Sequence, residues 1–181
     1  MSVAHTAIFP PAPLRALVIK IAPILTERKQ SVAVAETTCG GLISAALLSV
    51  PGASAYYKGG LTLYTLPSRI AYAGWTEESV KGYSGPTPEV VVGLAKNALT
   101  TLKPTYVIGE SGTAGPTGGT TRNRTPGYVA LAVVSEEGEV KREVETGTSE
   151  RDVNMIKFAE AALQLFLEVL QGEAKIEKAS L

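Results

Sequence analysis

Ser31-Val32-Ala33-Val34-Ala35-Glu36-Thr37-Thr38-Cys39-Gly40-Gly41-Leu42-Ile43 reads as a strand, a turn and the start of a helix. Ser31 to Glu36 is a short apolar run that stops at a charge, which suits a strand buried on both faces. Two threonines, the only cysteine and two glycines follow. A helical apolar pattern then runs from Gly41 to about Val50. The first amides of such a helix lack intrahelical partners, and the helix dipole places partial positive charge there. Gly40 and Gly41 let a ligand approach the backbone closely. A turn of this kind can bind an anion and present a hydroxyl nucleophile. It can equally be an N-capped turn with no further role.

On the N-terminal side, Leu14, Leu17, Val18 and Ile21 recur on one helical face, and Pro23 is expected to kink or end that helix. Residues 1–11, with His5, read as a flexible tail. On the C-terminal side, residues 54–66 favour strand, and Gly59-Gly60 suggests a bulge or a close backbone approach. Pro67 starts a short helix, and residues 76–84 hold another helical turn. Thr87-Pro88-Glu89 opens a longer helix to about Leu102, with Thr87 as N-cap.

Thr105 to Glu110 reads as a second buried strand and Ser111 to Thr125 as a loop. Gly127 to Val134 and Glu139 to Thr146 form a hairpin. Ser149 opens a last helix to about Gln171, and residues 172–181 read as a flexible charged tail. Helices alternating with strands argue an α/β fold, and the hairpin argues a mixed sheet, in one domain over 12–171.

Lys plus Arg and Asp plus Glu both number 17 among 181 residues, so no basic excess points to nucleic acid or an acidic membrane surface. One cysteine excludes an internal disulfide framework. His5, in the tail, is the only histidine, which removes a His-based triad and argues against a zinc site. Any catalytic base must then be Lys, Glu, Asp or Tyr. No uninterrupted run reaches the ~20 apolar residues that span a bilayer. The expectation is a cytoplasmic protein without membrane or nucleic-acid partners.

The loop Gly109-Glu110-Ser111-Gly112-Thr113-Ala114-Gly115-Pro116-Thr117-Gly118-Gly119 follows a buried strand. It matches neither the Walker loop nor the dinucleotide fingerprint. Ligands of open α/β folds sit at the carboxyl ends of strands, so Thr37 and Ser111 are expected to line one crevice. Arg69 and Arg151 are the basic candidates. Arg151 falls in the first turn of the last helix, where the dipole disfavours a cation and a bound anion sometimes explains one.

In this order the pieces resemble the CinA C-terminal domain family, whose stand-alone members are nicotinamide mononucleotide deamidases of the PncC type. The family's Ala-Glu-Ser-Cys-Thr-Gly-Gly appears as Ala35-Glu36-Thr37-Thr38-Cys39-Gly40-Gly41. Pro-Gly-Ala-Ser appears as Pro51-Gly52-Ala53-Ser54, and a Gly-Gly before a Tyr as Gly59-Gly60 and Tyr64. Thr-Gly-Ile-Ala-Gly-Pro appears as Ser111-Gly112-Thr113-Ala114-Gly115-Pro116 with Gly118-Gly119 after it. A Gly-x-Val strand appears as Gly127-Tyr128-Val129, and the last-helix arginine as Arg151.

The resemblance covers roughly residues 12–171. It implies a three-layer α/β/α sandwich with a mixed, mostly parallel sheet, and assembly as a homo-oligomer, a dimer or higher. It also implies hydrolysis of the carboxamide of nicotinamide mononucleotide, an anionic small molecule, with no metal and no cofactor. Thr37, Tyr64 and Arg69 fall at the catalytic positions. Glu36, Thr38, Gly40, Gly41, Lys58, Ser111, Gly112 and Arg151 are the candidate substrate-binding residues.

The chemistry-bearing positions depart from the family pattern. The proposed nucleophilic Ser is Thr37, whose extra methyl stiffens χ1 and crowds the carbonyl. The assisting Lys is Arg69, which can clamp an anion but cannot act as a base. Three readings stay open. In the first, Thr37 attacks while Lys58, Glu36 or Tyr64 replaces the missing base. The second is a related hydrolase with another substrate, with Cys39 as an alternative nucleophile. The third is a non-catalytic binder of nucleotides or phosphometabolites.

Overall fold

The computed structural model describes residues 9–178, so His5 lies outside them. Val32–Glu36 forms β1, buried on both faces. Tyr57–Thr62 (β2) and Tyr106–Thr113 (β3) lie parallel to it on either side. Tyr128–Ser135 (β4) runs antiparallel to β3, and Gly138–Glu145 (β5) antiparallel to β4. The order β2-β1-β3-β4-β5 gives a mixed sheet in which β4 alone runs against its neighbours, among the described residues.

Side chains alternate across these strands. Val32, Val34, Ile108, Val129, Leu131 and Val133 face a layer made by α1 (Ala12–Glu27), α2 (Leu42–Leu48) and α6 (Arg151–Gln171). Ala33, Ala35, Val107, Ala130, Ala132 and Val134 face α5 (Pro88–Leu102). The result is the expected three-layer α/β/α arrangement. The short helices α3 (Leu66–Tyr72) and α4 (Glu77–Lys81) link β2 to α5.

Thr87 caps α5 as its sequence predicts, accepting from the Val90 N–H at 3.2 Å. By contrast, α6 starts at Arg151, two residues later than expected, and its N-cap Glu150 makes no side-chain cap. A missing cap forgoes about 1 kcal/mol. Phe158, Leu163 and Phe166 are fully buried, worth about 2 kcal/mol each. Packing therefore fixes α6 where capping does not.

Two expectations are corrected. Pro23 does not end α1, which continues to Glu27. The proline sits on the exposed face, and the missing bond falls on the carbonyl of Ile19, itself 57% exposed. Ser111, Gly112 and Thr113 are not loop. They extend β3, because β4 offers them Ala130, Val129 and Tyr128 as antiparallel partners. The expected bulge is present: Val32 pairs with Tyr57 but Ala33 with Gly59, so Lys58 is the extra residue. Within the stretch read as a C-terminal tail, Glu177 exchanges two backbone hydrogen bonds with Glu139, at 2.9 and 3.0 Å.

Candidate active site

β1 and β3 are parallel neighbours with Glu36 beside Glu110, so the chain leaving β1 brings Thr37 to Ser111. The Thr37 hydroxyl donates to Ser111 Oγ at 3.1 Å and lies 3.2 Å from Thr38 Oγ1. Thr38 Oγ1 donates to the Gly112 carbonyl at 2.8 Å and accepts from the Gly112 N–H at 3.3 Å. Gly112 has no room for a side chain: a Cβ would stand 2.7 Å from the Phe158 ring and 2.8 Å from the Tyr128 carbonyl. Thr37 and Ser111, the two buried residues expected to meet, thus form one bonded cluster with Thr38 and Gly112.

Gly40 and Gly41 carry φ of +66° and +100°, and the left-handed turn they make leads into α2. Four amides of that stretch are already used by carboxylates. Glu110 Oε2 accepts from the N–H groups of Thr37 at 2.9 Å and Cys39 at 3.0 Å. Glu36 Oε2 accepts from the Ile43 N–H at 3.2 Å, and its Oε1 from the Ser44 N–H at 3.1 Å and the Ser44 hydroxyl at 2.6 Å. Both carboxylates are fully buried. Glu36 is therefore the cap of α2, which corrects its assignment as a substrate contact or base. The turn does not receive a ligand anion on those four amides, because two side-chain carboxylates hold them.

Cys39 packs beneath the turn, 0% exposed, with its Sγ 3.7 Å from the Met155 carbonyl. Burial, then the Glu110 and Glu36 charges, push its thiol well above the usual cysteine range. This opposes the lowering expected from a helix N-terminus. Thiolate is the reactive form, so burial and the raised thiol both count against Cys39 as the alternative nucleophile.

Tyr64 and Arg151 form a second cluster. Arg151 donates to the Tyr64 hydroxyl at 2.9 Å and to the Gly115 carbonyl at 3.1 Å. Its guanidinium carbon lies 5.5 Å from the centre of the Tyr64 ring. Its partners are neutral oxygens, so the cation stays available to an anion. Asn154, one turn later on α6, donates to the carbonyls of Ala114 at 2.9 Å and Thr148 at 2.8 Å and accepts from Thr146 Oγ1.

Arg69 is 3% exposed. It donates to the Leu63 carbonyl at 3.2 Å and packs on the rings of Tyr83 at 4.8 Å and Trp75 at 5.0 Å. Its Nη1 is buried and takes no hydrogen bond among the described residues. Lys58 is exposed at the far end of the sheet. Four residues separate it from Thr62, the partner of Glu36, or about 13 Å of strand. Its assignments to substrate binding and as a base are both corrected: the strand direction carries it away from Thr37.

A pocket of about 290 Å³ opens beside the cluster, lined by Tyr83, Gly85, Pro86, Gly112, Thr113, Thr117, Gly118 and Arg124. Gly112 joins it to the threonines, and Tyr83 joins it to Arg69. Sequence reasoning missed Glu110, Asn154, Tyr83 and Arg124. Two of these carry a signal in the chain itself. Glu110 is a carboxylate closing an apolar strand run, and Asn154 is a lone amide among the apolar residues of α6.

The CinA C-terminal domain model matches residues 14–170. This chain belongs to the CinA C-terminal domain family. A CinA-like protein of Shewanella amazonensis is 32% identical over 146 residues, covering 81% of this chain and 34% of that protein. One of Chlorobium phaeobacteroides is 31% identical over 156 residues, covering 84% and 37%. The chain thus spans about a third of the length of the curated relatives it matches.

Among solved structures, the competence/damage inducible protein CihA of Agrobacterium tumefaciens is 26% identical with a TM-score of 0.81, covering 89% of this chain and 97% of that one. The competence damage-inducible protein A of Klebsiella pneumoniae shares the fold at 22% identity, TM-score 0.81, with 87% and 97% covered. In this member of the CinA C-terminal domain family, no helix among the described residues is long and apolar enough to cross a membrane.

Proposed function

We propose that this chain is a metal-independent amide hydrolase of the PncC type, acting on nicotinamide mononucleotide or a related anionic carboxamide. The observation that carries the reading is the Thr37 hydroxyl, bonded to Ser111 at 3.1 Å where the first turn meets the glycine loop. In this reading Thr37 Oγ1 attacks the carboxamide carbon and the C–N bond breaks. The released proton leaves with ammonia, and water then cleaves the threonyl ester. Ser111 Oγ relays the Thr37 proton, passing its own hydroxyl proton to the leaving nitrogen as it accepts. In this reading the anionic end of the substrate lies toward Arg151, whose hydrogen bonds go to the neutral oxygens of Gly115 and Tyr64, while Glu36 and Glu110 hold four amides of the α2 turn.

A second reading, a non-catalytic binder on the same frame, is favoured by one observation. Arg69, at the family's lysine position, is a buried cation stacked on Tyr83 and Trp75. Ammonia release from nicotinamide mononucleotide by wild type, Thr37→Ala and Arg69→Lys separates the two. Release by wild type that Thr37→Ala abolishes supports the hydrolase. Silence in wild type, with a thermal shift on adding the nucleotide, supports the binder.

A further inference from the structure

Glu110 stands outside the residue set that the family resemblance supplies, yet it makes the contacts that fix the turn. One of its oxygens, Oε2, accepts both the Thr37 and the Cys39 N–H. The other, Oε1, is buried and takes no hydrogen bond among the described residues. Such an arrangement is costly in a side chain that serves packing alone. A buried acceptor left unmade loses the water it would have had, and a hydrophobic residue would fill the same space without that loss.

We infer that Glu110 is an ionisable positioning residue, whose carboxylate form holds the Thr37 turn and so sets where the Thr37 hydroxyl stands. The inference rests on the reading of Thr37 as the nucleophile. Ionised, Glu110 gives the two amides charge-assisted bonds. Protonated on Oε1, it keeps only a neutral carbonyl toward them and buries an O–H with no acceptor. The hold on Thr37 then slackens.

The groups that face it are few. Glu36 is its register neighbour on β1, Cys39 lies in the turn, and its β4 partner is the apolar Leu131. Burial raises the Glu110 carboxyl most. The Cys39 and Thr37 amides pull it down, Glu36 pushes it up, the Cys39 thiol beside it pulls it down, and it settles at about 7. The turn therefore changes state in the range where such an enzyme works.

The test uses full-length protein and two readouts. The backbone amide resonances of Thr37 and Cys39 are followed from pH 5.5 to 8.5 in wild type and Glu110→Gln. Both amides titrate together near pH 7 in wild type and stay flat in the glutamine variant, whose neutral side chain carries no titrating proton. Flat amides in wild type, or the same titration in both proteins, overturns the inference. This arm needs no turnover, so it stands whether or not the hydrolase reading survives.

The second readout is the pH profile of ammonia release. In wild type, kcat falls about tenfold per pH unit below 7, and Glu110→Gln loses that limb. Glu110→Leu lowers kcat at least tenfold with KM little changed. An acid limb identical in wild type and Glu110→Gln overturns the inference even if the amides titrate. Silence of wild type on nicotinamide mononucleotide counts against the hydrolase reading, and the amide titration then decides this inference alone.

Discussion

The Thr37 and Ser111 hydroxyls meet at 3.1 Å from two parallel strands that are 74 residues apart in sequence. Removing the acceptor leaves Thr37 only Thr38 as a neighbour. Ser111→Ala is expected to cost at most about 1 kcal/mol of stability, the net value of one such bond. It is expected to lower kcat by about ten- to a hundredfold. Unchanged kcat with full stability would remove Ser111 from the site. The companion Thr37→Ser keeps the hydroxyl and drops the methyl that stiffens χ1. It is expected to raise kcat.

Glu110 also predicts a pH dependence of stability. Its carboxyl stands at about 7 in the folded chain against an ordinary 4.5. The folded protein therefore holds the proton more tightly than the unfolded one. Burial disfavours the charged carboxyl in the folded chain even though the carboxylate is the form that holds the turn, so stability is highest below about pH 4.5 and falls as pH rises to about 7. The fall is of the order of 3 kcal/mol, after which the term is flat. Urea melts from pH 5 to 8 should show that decline in wild type and its disappearance in Glu110→Gln. Parallel curves for the two proteins would exclude a raised carboxyl at this position.

Cys39 is expected to be inert. Native protein should react with a thiol reagent at least a hundredfold more slowly than unfolded protein, because the side chain is 0% exposed and its thiol is pushed up. Cys39→Ala is expected to keep kcat within twofold and to cost about 1 kcal/mol for the lost packing. Loss of activity in a folded Cys39→Ala protein would return the thiol to the mechanism.

Arg69→Lys tests the departure at the family's lysine position. A lysine lacks the planar group that lies over Tyr83 and Trp75, and the Leu63 carbonyl loses a fixed donor. The expected loss is about 1–3 kcal/mol, read as a lower Tm. The same change supplies an amine that can titrate. A gain in ammonia release despite the lower Tm would mark a site that kept its pocket and lost its base.

Asn154 ties α6 to the glycine loop through the Ala114 and Thr148 carbonyls. Asn154→Ala strands both acceptors and is expected to cost about 2–3 kcal/mol. Amide exchange should quicken around Ala114 and Gly115 more than in β1. Uniform exchange throughout would mean that the loop is held by other contacts.

Most of the frame was legible because local pattern and tertiary context agree. The apolar run of β1, the Thr87-Pro88 start of α5 and the bulge next to Gly59-Gly60 each follow from a local rule. Where context overrides, the pattern misleads. Pro23 reads as a stop, but its missing bond falls on a solvent-facing turn of α1. Ser111 to Thr113 look like loop, and only the partner strand β4 makes them strand.

The site divides in the same way. Thr37 and Ser111 were expected in one crevice because strand ends place them there. Glu36 and Lys58 were misjudged because their direction depends on partners far along the chain: the α2 amides for one, the β1–β2 register for the other. Glu110 was missed since nothing local says that a strand-end carboxylate bends under a neighbouring turn.

Cys39 serves as an internal gauge of electrostatic potential. Burial and then the Glu110 and Glu36 carboxylates push its thiol up, and Glu110 also holds the Thr37 N–H of the same turn. In the proposed hydrolase reading, a free alkoxide at Thr37 would form against the charge of those carboxylates, and that reading expects the Thr37 proton to leave toward Ser111 as the new bond forms.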